Sequence, residues 1–309
     1  MTHRERMIAA LERRIPDRVP TMELEFQLTR ELNGGDWLRQ DQLDRASPGE
    51  RERLIEENAV YHLRTYGELE HDAFGIHHLD EKGAAETIRA IRRLSGDAYM
   101  LFVHGDGTFA IPDGNGMAEF AYRMADDPES LDAEAERMCR EAIDRNHRMV
   151  EAGADCFILC SDYCFNKGPF MSPRAFRRFV TPYLTRIIAA IREDGAYAIK
   201  HTDGDIMPII DQLAEANPHA LHSLDPMAGV DIARVKKEYG SRLALIGNVN
   251  CALMQTGTDE EVRRSAAYCM EHGKPGGGYI FSTSNVPFLG LPLERYQLAL
   301  EVWRENREY

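Results

Sequence analysis

Positive charge is scarce in this chain. Its 37 Lys and Arg residues face 51 Asp and Glu residues, which leaves a formal charge of −14 over 309 residues. No five consecutive positions are all basic, so nothing local offsets the repulsion between this surface and a phosphate backbone or an anionic membrane. Nucleic acid and membranes are therefore not expected as partners. No apolar run approaches the ~18 residues that a spanning helix needs, and the stretch Met1 to Pro16 is charged and amphipathic rather than built like an export signal. A cytoplasmic location is the expectation. Cysteine is thin as well: six residues (Cys139, Cys156, Cys160, Cys164, Cys251, Cys269) are too few for a disulfide framework in a chain this long and read as reduced thiols. Pro/Gly/Ser linkers, low-complexity tracts and internal repeats are missing, so one domain over residues 1–309 is expected.

What is present is a regular alternation of short β-rich runs and longer helical segments. The short runs are Val19–Phe26, Asp72–His78, Tyr99–Phe109, Asp155–Tyr163, Ala196–Thr202, Ala220–Asp225, Leu243–Asn248 and Gly278–Ser284. Helical character fills Pro48–Tyr66, Glu81–Leu94, Pro128–Ala152, Pro173–Glu193, Asp205–Ala216, Asp231–Tyr239, Asp259–His272 and Leu293–Glu305. Ser172-Pro173 offers a hydroxyl cap before a proline at the first helical position, and Gly240 and Gly273 stand where a helix end favours positive φ. Strands separated by helices imply parallel pairing through crossovers. Eight such units predict an α/β fold, a (β/α)8 TIM barrel, rather than an open doubly wound sheet. The connections after the first and third runs, each about 45 residues, leave room for extra helices near the N-terminus and over the barrel mouth.

In such a barrel the reactive groups stand where strands end. The runs end in Glu23-Leu24-Glu25, His77-His78, His104-Gly105-Asp106, Ser161-Asp162-Tyr163, His201-Thr202-Asp203, His222-Ser223-Leu224-Asp225, Asn248-Val249-Asn250-Cys251 and Ser282-Thr283-Ser284-Asn285. Eight such ends around one axis make a cup rich in imidazole and carboxylate, suited to acid/base work or to a divalent metal. His201 and Asp203 are two apart on a strand and share a side, so one ion or substrate can meet both. Asp162, His201, Asp203 and His222 are the catalytic candidates, and Glu23, Glu25, His104, Asn248 and Ser284 are the substrate-facing ones. Cys251 follows the seventh run on the active face, where a thiolate can bind a soft metal or simply pack. Cys156, Cys160 and Cys164 match no metal spacing and read as core fillers. Gly276-Gly277-Gly278 precedes the last run and reads as a tight turn below the barrel, and Lys167 as a solvated lysine.

Several stretches resemble the uroporphyrinogen decarboxylase-like superfamily, which includes corrinoid-linked methyltransferases. They are Pro16-Asp17-Arg18-Val19-Pro20, Gly168-Pro169-Phe170-Met171-Ser172-Pro173 with Pro182-Tyr183, His201-Thr202-Asp203-Gly204, Gly247-Asn248-Val249, and Gly278-Tyr279-Ile280 followed by Ser284. The resemblance implies a TIM barrel with its cleft at the strand C-termini. The haem-pathway decarboxylases of that superfamily carry an arginine-rich segment near the N-terminus for the porphyrinogen carboxylates; here the region reads Glu23-Leu24-Glu25-Phe26. The zinc-dependent thiol methyltransferases have His-x-Cys after the fifth strand and a further Cys near the eighth, where this chain has His201-x-Asp203 and Ser284.

What the resemblance then implies is the substrate-demethylating branch: an enzyme that moves a methyl group between a small methoxylated or methylamine substrate and a corrinoid carried by a partner protein. Zinc is the metal expected, with His201 and Asp203 as ligands and Cys251 or Glu25 completing the set. Asp162, with His222 or His104, orients the substrate or donates the proton. A homodimer is a further expectation. Two other readings stay open, a decarboxylase or other lyase acting on a small carboxylate and a barrel that binds a tetrapyrrole without catalysis.

Overall fold

Residues 1–309 are described here from a computed structural model. Seven parallel strands form the sheet: β1 (Ala73–Gly75), β2 (Met100–His104), β3 (Cys156–Leu159), β6 (Tyr197–His201), β7 (Ala220–Ser223), β8 (Ala244–Gly247) and β9 (Tyr279–Ile280), hydrogen-bonded in that order. A two-stranded antiparallel hairpin, β4 (Cys164–Phe165) with β5 (Gly168–Pro169), rises from the connection after β3. The expected strand Val19–Phe26 is not one. It lies between the two sheet edges as an irregular segment: Phe281 N donates to Pro20 O at 2.8 Å, Met22 N to Phe281 O at 3.2 Å, and Asp72 N to Thr21 O at 2.8 Å. Pro20 has no N–H to give, and the carboxylate of Asp72 takes the Thr21 N–H instead, so a regular ladder cannot form.

Period-two alternation sorts the strand side chains into two layers. Met100, Phe102, Cys156, Ile158, Ile199, Ala220, Ala244, Ile246 and Ile280 point inward and form a small core. Cys160 packs against that core and Cys164 belongs to the outer one, which supports reading them as fillers. The helix His3–Leu11 presses Met7, Ala10 and Leu11 against the strands' inward side chains, at the end of the sheet opposite the strand C-termini. Its start is held by a capping box between Thr2 and Glu5. The intervening strand positions, such as Leu101, Phe157, Ala198 and Leu245, meet the surrounding helices in a larger core.

Most helices fall where the sequence places them, and Pro128–Ala152 coincides with its expected limits. The segment Pro173–Glu193 differs: it breaks into Pro173–Phe179 and Thr181–Glu193, because Pro182 cannot supply the amide that would bridge the two. The helix expected from Asp205 begins only at Ile210, since the Asp205 carboxylate accepts from Met207 N and holds a turn there. Gly240 has φ −62°, not positive, and Gly273 is not among the positive-φ glycines. These two are glycines for clearance, since a Cβ on Gly273 would stand 2.6 Å from the Tyr279 ring and one on Gly240 2.4 Å from Lys236 O. The extra helices Thr29–Asn33, Gln40–Arg45 and Gly116–Asp126 occupy the two long connections. No helix is long and apolar enough to cross a membrane.

Candidate functional site

Three side chains from the ends of β3 and β6 converge. His201 is the last residue of β6, Asp203 lies two residues on, and Asp162 lies three beyond the end of β3. One ligand atom from each falls within 4.8 Å of the others. His201 Nε2 is 3.7 Å from Asp162 Oδ1 and 3.8 Å from Asp203 Oδ1. The imidazole is buried, while the side chains of Asp162 and Asp203 remain 46% and 28% exposed, so the group opens to solvent on its carboxylate side. Asp203 is held by Ser223 Oγ, which donates to its Oδ1 at 2.6 Å, and by the Asn285 amide on Oδ2. Asp203 N in turn donates to Asp162 Oδ1 at 3.1 Å. Burial raises the Asp203 carboxyl to about 7, assisted by the neighbouring Asp162 and Asp225 carboxylates and opposed by Ser223. Burial, then the Lys200 and His104 charges, push the His201 ring down to about 3, so it is neutral and has a lone pair to offer.

A second set of groups lies on the opposite flank of the mouth. His77 Nδ1 and His104 Nε2 are 3.1 Å apart, and His78 Nε2 is 3.0 Å from Glu25 Oε1. His78 takes φ +63°, a left-handed conformation unusual for a side chain of its size. Although burial opposes it, the hydrogen bond from His78 brings the Glu25 carboxyl down to about 2. The two flanks are near enough for His104 to bear on the charge of His201.

Beneath the rim, a buried lysine ties the strand ends together. Lys200 Nζ donates to Asp106 Oδ2, Leu159 O and Ser161 O, each at 2.9 Å, and lies 3.9 Å from the centre of the Tyr163 ring. Ser161 N donates to the same Asp106 oxygen at 3.0 Å. Both sides of the residue before Asp162 are thereby fixed, which sets where that carboxylate stands.

A family model described as "Uroporphyrinogen decarboxylase (URO-D)" matches residues 110–305, well over half of the chain. The chain belongs to the URO-D family. Among curated relatives of this URO-D chain, the uroporphyrinogen decarboxylase of Psychromonas ingrahamii is 22% identical over 71% of this chain and 62% of its own length. That of Thioalkalivibrio sulfidiphilus is 24% identical over 68% and 60% respectively. The chain thus spans about three fifths of the length of these curated relatives. Among solved structures, a methyltransferase from Methanosarcina mazei superposes with a TM-score of 0.75 at 17% identity, covering 99% of both chains. At that identity the likeness speaks for the fold.

Not every residue expected at the site of this URO-D chain reaches it. Asn248 does not: its amide donates to Leu224 O at 2.7 Å and Val230 O at 3.3 Å, its Oδ1 accepts from the Cys269 thiol, and it borders an outer cleft with Asp231, Arg264 and Tyr268. Alternation along β8 would have turned it inward, but Gly247 takes φ +118° and breaks the period. Glu23, expected to face substrate, is 2% exposed and accepts from Ser282 Oγ, Thr283 Oγ1 and Thr283 N. His222, 2% exposed, sits behind His201 rather than at the reacting space. Cys251 opens the helix Cys251–Thr256, points its thiol at Val286 O, 3.7 Å away, and lies beside Ser284. Burial raises that thiol, and it is not part of the Asp162, His201 and Asp203 group. Ser284 is itself buried against it. Glu25 and His104 do reach the mouth, on the imidazole flank. Sequence reasoning named the strand-end stretches that hold Ser223, Ser282 and Asn285 but passed over these residues, and it missed Lys200. The signal for Lys200 was its position, a lysine at an outward, apolar-layer position of a buried strand.

Proposed function

We propose that the protein is a corrinoid-linked, demethylating methyltransferase of the URO-D superfamily, with a (β/α)8 barrel whose first strand is irregular. The observation that carries the reading is the convergence of Asp162, His201 and Asp203 within 4.8 Å at the open end of the sheet. One imidazole and two carboxylates make a donor set that fits a divalent ion with positions left for substrate. When bound, such an ion would polarise the leaving oxygen or nitrogen of a methoxy or methylamine group. His201 would hold it through Nε2, with Asp162 and Asp203 supplying oxygen. A corrinoid carried by a partner protein would supply the nucleophile for the methyl carbon; the bonding pair would stay on the heteroatom, which the open carboxylate rim lets take up a proton.

Docking of that partner is supported by the surface around the mouth. Tyr122, Phe165, Met227 and Leu289 are exposed apolar side chains, and each lies in a connection that follows a strand's C-terminal end. A decarboxylase acting on a small carboxylate is the second reading, favoured by the names of the curated relatives. Against a polycarboxylate such as a porphyrinogen stands the lack of arginine in the segment 23–26, whose acidic members are buried Glu23 and the His78-paired Glu25. The test is incubation of the purified protein with a panel of methoxylated aromatics and methylamines and a cobalt(I) corrinoid. Methylated corrinoid and demethylated product should appear together. Release of carbon dioxide from a small acid, with no methyl transfer from any member of the panel, would overturn the reading in favour of the lyase.

A further inference from the structure

Behind His201 runs an unbroken line of hydrogen bonds to the far side of the sheet. His201 Nδ1 and His222 Nδ1 are 2.7 Å apart, His222 Nε2 and Ser282 Oγ are 3.3 Å apart, and Ser282 Oγ donates to Glu23 Oε2 at 3.0 Å. All four residues are buried. Each link constrains the next. Glu23 Oε2 already receives the Thr283 hydroxyl and the Thr283 amide, so that oxygen is an acceptor, the proton that the buried carboxyl keeps sits on Oε1, and the single proton of Ser282 goes to Oε2. Towards His222 that hydroxyl can then only accept, which requires the proton of His222 on Nε2. Both rings are buried, where an imidazole carries a single N–H, and the 2.7 Å contact needs one donor and one acceptor; with its proton on Nε2, His222 offers a lone pair at Nδ1 and His201 must carry its proton on Nδ1.

We infer that His222 is a positioning residue, anchored through Ser282 to Glu23, which holds His201 in the tautomer whose Nε2 lone pair faces Asp162 and Asp203. Nε2 then faces Asp162 Oδ1 and Asp203 Oδ1 with no donor of its own, the two oxygens being served from outside by Asp203 N and Ser223 Oγ, and a cation or a shared proton completes the arrangement. The reversed tautomer would aim an N–H into that space and close it to a cation. The inference rests on the methyltransferase reading only for what the lone pair is used for; the tautomer itself is a property of the protein alone.

The test is long-range 1H–15N NMR of 15N-histidine-labelled protein without added metal, which reads which nitrogen carries the proton. In the wild type, His201 should show a bare Nε2 and His222 a bare Nδ1. His222→Phe, which removes the acceptor, should move His201 towards a mixture of tautomers, while His222→Asn, whose amide oxygen can accept from Nδ1, should keep it. Ser282→Ala should shift the His222 Nε2–H proton resonance upfield. A wild-type His201 protonated on Nε2 overturns the inference, as does an unchanged His201 signal in His222→Phe. An unmoved proton in Ser282→Ala removes Glu23 and Ser282 from the chain. Should His222→Phe fail to fold, the wild-type and His222→Asn spectra still decide. Titration with Zn2+ alone then separates the two readings: a bare Nε2 that zinc leaves unmoved overturns the metal assignment and leaves the tautomer standing, and in His222→Phe zinc affinity should fall about tenfold.

Discussion

Lys200 and Asp106 form an ion pair in which the ammonium is fully buried, Nζ to Oδ2 2.9 Å, one residue before His201 in the chain and on the opposite face of the strand. Although burial opposes it, the Lys200 charge holds the Asp106 carboxyl below its ordinary value. Removing one partner strands the other charge in the interior. Lys200→Met should therefore cost about 3–5 kcal/mol by urea denaturation, and Asp106→Asn in the same chain should restore part of it. A single mutant as stable as the wild type would show that water reaches the pair.

Changes at the rim should separate chemistry from folding. Asp162→Asn and Asp203→Asn each weaken one of three converging ligand atoms without emptying a core, whereas His201→Ala removes a ligand atom together with a buried ring. Each should abolish or greatly reduce activity and lower divalent-metal affinity by about tenfold or more, with thermal unfolding nearly unchanged in the two Asn variants and stability lowered by about 1–3 kcal/mol in His201→Ala, which leaves His222 without its partner. Unfolding of His201→Ala at room temperature would return that residue to a structural role.

Asn248 provides the contrast. Its amide satisfies two main-chain carbonyls on the outer side of the sheet, at Leu224 and Val230. Asn248→Ala should lower stability by about 1–3 kcal/mol and leave the turnover of folded protein close to wild type. A large drop in kcat at unchanged stability would place the side chain back at the reacting space.

Glu23 should govern how stability varies with pH. Burial raises its carboxyl to about 8 against the pull of the Thr283 and Ser282 hydrogen bonds, whereas the free side chain titrates near 4.5. Between these values the folded protein keeps a proton that the unfolded chain has lost. The stability contributed by this group is complete below about 4.5 and disappears as pH rises through about 8. Urea midpoints should decline over that window, and Glu23→Gln should flatten the decline. Parallel slopes in the two proteins would assign the effect to another group.

The apolar rim gives the proposed corrinoid partner a test. Phe165→Ser combined with Met227→Ser should raise KM for a corrinoid protein about tenfold while leaving kcat with free corrinoid unchanged. Equal losses with both acceptors would mean that the double change disturbs the site itself.

The order of strands and helices, and the end of the sheet at which chemistry gathers, were legible in the chain because hydrophobic period and capping residues act over a few positions. The pairing of His201 with Asp203 was legible for the same reason, since a strand's period of two is local. What the sequence could not decide by itself was the outcome of backbone departures and long-range hydrogen bonds. Pro20 and Asp72 turned the first expected strand into an irregular segment, and Gly247 turned Asn248 outward. Glu23 and His222 went behind the site rather than into it, because partners some 60 to 260 positions away, Ser282 and Thr283, took up their hydrogen bonds. A buried polar group must find its partner wherever the fold brings one, and only the tertiary structure says where that is.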